Sequence, residues 1–150
     1  MTCTKSTFCI AVWLCLLASP SFAESAQEKQ DWAKQMGYSN QLMDGIAESC
    51  KAKIKFEYEK ESWNKVKSQW DSASPNGQCE EVLVRVERFC SSGEAAQKAV
   101  AAKVKSILCS YGGKGSGYAI SLKSGALSYS AEVDKANVAE SIDKFLKSSL

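Results

Sequence analysis

Ile107 to Val133 reads "ILCSYGGKGSGYAISLKSGALSYSAEV", and its period decides the fold. Ile107, Cys109 and Tyr111 alternate with polar or small residues, as do Tyr118, Ile120 and Leu122, and then Leu127, Tyr129, Ala131 and Val133. A period of two is the mark of a strand with one buried face. The connections "GGKGSG" and "KSGA" are short and rich in glycine. Consecutive strands joined by short turns pair antiparallel. The stretch therefore predicts a three-stranded meander.

Working outward, "KIKFEYEK" shows the same period. Ile54, Phe56 and Tyr58 alternate with Lys53, Lys55, Glu57 and Glu59, which predicts a fourth strand over 54–58 joining an edge of the meander. The remaining pattern is helical. Glu24 to Met36 places Trp32, Ala33 and Met36 on one side, and Gly37 is expected to stop that helix. Ser39 or Asn40 then caps a second one with Leu42, Met43, Ile46, Ala47 and Cys50 on its apolar face. Trp63, Val66 and Trp70 fit one side of a short helix, and "DSASPNG" breaks the chain.

Cys79, Val82, Leu83, Val86, Phe89 and Cys90 form the strongest helical stripe. An alanine-rich helix follows "SSGE", with Val100 and Val104 inside. Asn137 with Glu140 three residues on reads as a capping box for a last helix, whose face is Val138, Ile142, Phe145, Leu146 and Leu150. Helices segregated from an antiparallel sheet of about four strands imply an α+β class.

The N-terminal stretch is expected to lie outside the fold. Residues 1–23 carry Lys5, an apolar run from Phe8 to Ala18, Pro20, and small residues at Ser21 and Ala23. That is the pattern of a secretory signal peptide, cleaved after Ala23. The apolar run is too short for the roughly 20 residues that span a bilayer. Residues 24–150 then form a single exported globular domain, and the absence of Asn-x-Ser/Thr leans toward a bacterial periplasm. Lys and Arg number 19 against 17 Asp and Glu, so no basic field favours nucleic acid as a partner.

Of the seven cysteines, Cys3, Cys9 and Cys15 fall in the leader, leaving Cys50, Cys79, Cys90 and Cys109. An even count in an exported chain reads as two disulfides. A four-thiolate zinc site would show closely spaced pairs, and none occurs. Eleven residues on one helix separate Cys79 from Cys90 by about 16 Å, too far to bridge. Each then reaches Cys50 or Cys109. A second helix that folds back favours Cys79–Cys109 with Cys50–Cys90.

The chain has no histidine, which removes Ser-His-Asp and Cys-His machinery. Glu57, Glu59 and Glu61 are the remaining carboxylate candidates for a hydrolase, but their alternation with apolar residues reads as a solvated strand face. Glu132 and Asp134 suit a strand end. Trp32, Trp63 and Trp70 read as core rather than as a ligand platform, and Lys98, Lys103 and Lys105 as a solvated helix face. The glycines of "YGGKGSGY" fail the phosphate-loop spacing and lack a following helix. They read as a hairpin connection whose only functional prospect is a contact loop of Tyr111, Lys114 and Tyr118. No catalytic, cofactor-binding or metal-ligating residue stands out. The function expected is an exported, non-enzymatic protein that binds another macromolecule, a protein partner, as an inhibitor, immunity or accessory factor would. The alternatives are a small-molecule carrier with a pocket between sheet and helices, and a histidine-independent carboxylate hydrolase.

Overall fold

The computed structural model describes residues 24–113, 117–131 and 138–150. The leader, the expected cap Asn137 and Val133 lie outside them. The elements run α1 (Ala26–Cys50), β1 (Lys55–Tyr58), α2 (Lys60–Asn64), a 3-10 turn at Lys67–Gln69, α3 (Pro75–Ser91), α4 (Glu94–Lys103), β2 (Ser106–Tyr111), β3 (Ala119–Lys123), β4 (Ala126–Ala131) and α5 (Val138–Ser149). Among the described residues the class is α+β, with five helices, a four-stranded sheet and two disulfides.

The helix expected to stop at Gly37 continues to Cys50. A mid-helix glycine costs about 1 kcal/mol. Burial along the whole length outweighs it, because Trp32, Ser39, Ile46 and Cys50 share one buried stripe. Ser39, expected as a cap, instead lies buried in mid-helix, and its hydroxyl shares a hydrogen bond with the Tyr58 hydroxyl. Lys51, in the left-handed region at φ 50°, ends the helix.

α3 matches its sequence closely. Ser74 caps it by accepting the Gly77 N–H, Pro75 fills the first turn, and Cys79, Val82, Leu83, Val86 and Cys90 are buried. Phe89 is only half-buried. Cys50 bonds to Cys90 with Cα atoms 4.9 Å apart, which joins the ends of α1 and α3. Cys79 bonds to Cys109 across 6.1 Å, which ties α3 to β2.

The sheet is mixed, not antiparallel, and the meander is not formed. Strand order is β1-β2-β4-β3. β1 pairs parallel with β2, β2 pairs parallel with β4, and only β3 with β4 is antiparallel. The hairpin reading holds for "KSGA", where Ser124 and Gly125 both have positive φ (50° and 85°), as a type I′ turn requires. It fails for the glycine stretch. Residues 112–118 lead from β2 to a strand two places away, with β4 between them. Burial accounts for the order. Leu127, Tyr129 and Ala131 of β4 are 0–3% exposed and need neighbours on both sides, whereas Ile120 and Leu122 of β3 are half-buried, as suits an edge.

Register aligns the core face in rows. Phe56, Ile107, Leu127 and Leu122 make one, and Tyr58, Cys109, Tyr129 and Ile120 the next. α1, α3 and α5 lie against this face, through the Ser39–Tyr58 hydrogen bond, the Cys79–Cys109 bond and the contact of α5 with β3.

Candidate functional site: the open sheet face

The residues between the core rows point the other way. Their register builds a second set of rows: Lys55, Ser106, Ala126 and Lys123; then Glu57, Leu108, Ser128 and Ser121; then Ser110, Ser130 and Ala119. All are exposed or partly exposed. Most of its side chains are serine or alanine, so little projects from it. Leu108 is its one large apolar group, and charge sits at the rim, with Lys55 and Glu57 on one side and Lys123 on the other. The sequence holds this face in plain view, in the polar half of each alternation. No sequence signal separates it from an ordinary solvated face, because its openness depends on where the helices go.

The three residues of the expected contact loop are placed differently. Tyr111 is half-buried, its ring 5.5 Å from that of Trp63, and its N–H donates to the Ser62 hydroxyl at 2.9 Å. Tyr118 is half-buried against the core. Lys114 lies outside the described residues. The two tyrosines thus anchor the ends of the segment, and Gly112 fixes it further by donating to the Ala131 carbonyl at 2.8 Å.

The carboxylates do not converge. Glu57 is exposed on the open face, and Glu61 is exposed on α2. Glu59 accepts the Ser62 N–H at 2.8 Å and so caps α2. Glu132 and Asp134 lie outside the described residues. Among the described residues, no group of three or more His, Cys, Asp or Glu could hold a metal ion.

The tryptophans are structural. Trp32 and Trp63 are buried, and Trp70 packs edge-on against Trp32 at 4.8 Å while its Nε1 donates to the Trp63 carbonyl. Trp63 Nε1 in turn donates to the Cys109 carbonyl, which joins α2 to β2. Trp32 Nε1 is buried without a partner among the described residues. The lysines also have local work. Lys98 pairs with Glu94, Lys105 caps the Ala101 carbonyl, and Lys103 holds the carbonyls of Ser149 and Leu150.

A groove of about 520 Å³ runs between α1 and the start of α3, lined by Asp31, Lys34, Lys67, Trp70, Asp71 and Asn76 among others. Lys67 pairs with Asp31 at 2.8 Å and sits 5.6 Å from the centre of the Trp70 ring. Hydrogen bonds from Lys67 and Gln27 hold the Asp31 carboxyl below the usual range. Its two lysines and two aspartates balance, so the groove offers no net field to an anion or a cation.

Between sheet and helices the space is filled. Ile46, Val82, Leu83, Val86, Ile107 and Leu127 are all 0% exposed there. Both disulfides point to an oxidising compartment. Among the described residues no helix is long and apolar enough to cross a membrane. Comparison with protein-family models, curated proteins and solved structures finds no match to the chain.

Proposed function

We propose that this is an exported protein of one globular domain that acts by binding a protein partner in the cell envelope or outside the cell, and that the open face of the sheet is the contact surface. The observation that carries the reading is the composition of that face. Leu108 has Glu57 beside it on one strand and serines on its other sides, and Lys55 and Lys123 stand at the rim. Serine and alanine lose little rotamer freedom on burial, so a partner covers them at small entropic cost. A central apolar group inside a polar rim is the usual anatomy of a protein interface. Export is supported by the leader pattern of residues 1–23 and by the two disulfides. The carrier reading is disfavoured by the filled space between sheet and helices, and the hydrolase reading by the dispersed carboxylates.

The test uses a photo-crosslinking residue at Ser128, in the middle of the open face, in cells that export the chain. One partner should be captured reproducibly, and Leu108→Asp should abolish the capture while leaving the melting temperature close to that of the parent. Capture that is indifferent to Leu108→Asp would remove the face from consideration. N-terminal sequencing of the exported chain should begin at Glu24.

A further inference from the structure

The outer edge of β3 offers a second feature, its backbone groups, which face sideways rather than along the open face. Among the described residues β3 is the terminal strand of the sheet and pairs only with β4. In an antiparallel pair, alternate residues turn their N–H and C=O groups away from the partner. The two-residue turn makes Lys123 and Ala126 the hydrogen-bonded pair that closes the hairpin. Lys123, Ser121 and Ala119 therefore face β4, and Ile120 and Leu122 present their backbone groups outward. No backbone hydrogen bond from Ile120 or Leu122 to any other described residue is seen outside the β3–β4 ladder.

Exposed edges are normally guarded by charge, proline, a bulge or extreme shortness. β3 has none of the last three, and its sole charge, Lys123, sits at one end. Its two apolar side chains are half-buried at the rim of the core.

We propose that this edge pairs with the same edge of a second copy, antiparallel and centred on Ser121. That register pairs Ile120 with Leu122 of the second copy, and the reverse, so both outward-facing residues meet outward-facing residues. Ser121 meets its own copy, and Ala119 meets Lys123, so no like charges stand opposite. The arrangement uses all five residues of the strand. It is isologous, with a two-fold axis normal to the sheet. Core faces stay on one side and open faces on the other, which makes a continuous sheet of eight strands. Ile120 and Leu122 each gain a cross-strand apolar neighbour.

Sedimentation of the protein with both disulfides formed, from micromolar to millimolar concentration, tests this. A dimer should appear with rising concentration. Ser121→Lys places two lysines opposite each other on the solvent side and should weaken the dimer several-fold without changing the circular dichroism. Ala119→Glu places a carboxylate opposite Lys123 twice over and should tighten it several-fold. The amides of Ile120 and Leu122 should gain exchange protection as the dimer forms. A monomer at every concentration overturns the proposal, as does a dimer indifferent to both substitutions. Capture of an extended foreign peptide by β3 in a chain that never self-associates overturns it too. Self-association is read by sedimentation and the open-face reading by capture at Ser128 with and without Leu108→Asp, so the two can fail separately.

Discussion

The two edges of the sheet are built on different terms. β1 spans four residues, and its outward alternate positions are Lys55 and Glu57, both exposed. Its ends are held, since Lys55 N–H bonds to the Lys105 carbonyl and Glu59 N–H bonds to the Cys109 carbonyl. Beyond it, α2 is fastened to β2 through Trp63 and Ser62. β3 is longer, nearly uncharged and held by one ladder and the flank of α5. A short charged edge discourages strand addition, and a longer apolar one invites it. The contrast is the ground for the proposed pairing at β3, while the β1 side is tied into the fold.

The most severe way to break that contrast is to cut the staple on the β1 side. Replacing Cys79 and Cys109 together by Ala removes a link between α3 and β2 with a sequence separation of 30. Unfolding free energy in urea should fall by about 3–4 kcal/mol. A loss below about 1 kcal/mol would mean that β1 and β2 are held by packing alone.

The next test sets the central strand against the β3 edge. Leu127→Ala should cost about 3 kcal/mol because the side chain is fully buried, and Leu122→Ala about 1 kcal/mol because it is not. Equal losses by urea unfolding would show that the β3 edge is covered.

Alkali gives a sharper test. Burial pushes Tyr58 on β1 and Tyr129 on β4 up to about 12, while β3 has no tyrosine. Both phenols are neutral in the folded protein where they would ionise in the unfolded chain. Their stabilising contribution is complete below pH 10 and is lost as pH rises through about 12. The loss should run across that window, between pH 10 and about 12. Titration of phenolate absorbance should show two groups released together with unfolding, and Tyr58→Phe should leave one.

Much of this was readable in the chain, for physical reasons. Periods of two and 3.6 are set by side chains on a single element, so the strands of "KFEY", "AISLK" and "ALSYSA" and the stripe of α3 stand out. The separation of Cys79 and Cys90 on one helix excludes their joining, which is again a local property. What failed was relational. Gly37 reads as a stop only if the helix is judged by propensity, and the burial of Trp32 and Ile46 on either side overrides it. The order of β2, β3 and β4 depends on which strand is most deeply buried, and a seven-residue connection permits either neighbour. The candidate site suffered the same limit. Tyr111 and Tyr118 fall on the inward half of their alternation and are half-buried, and the open face gains meaning only once the helices are seen on the opposite side.

Placing β4 between β2 and β3 has a consequence for the sequence of events in folding. β2 is made before either later strand, yet one of its two neighbours in the sheet is the last strand synthesised. β3 and β4 are joined by a two-residue turn, and such hairpins close in roughly 1–10 μs. The hairpin is therefore expected to form first and then to slot against β2 as one body, carrying β3 to the outside. A chain arriving end first cannot complete its sheet until Ala131 has emerged, whatever its disulfides have done by then. Pulse-labelled amide exchange should find Ala126–Lys123 protection ahead of any between β2 and β4.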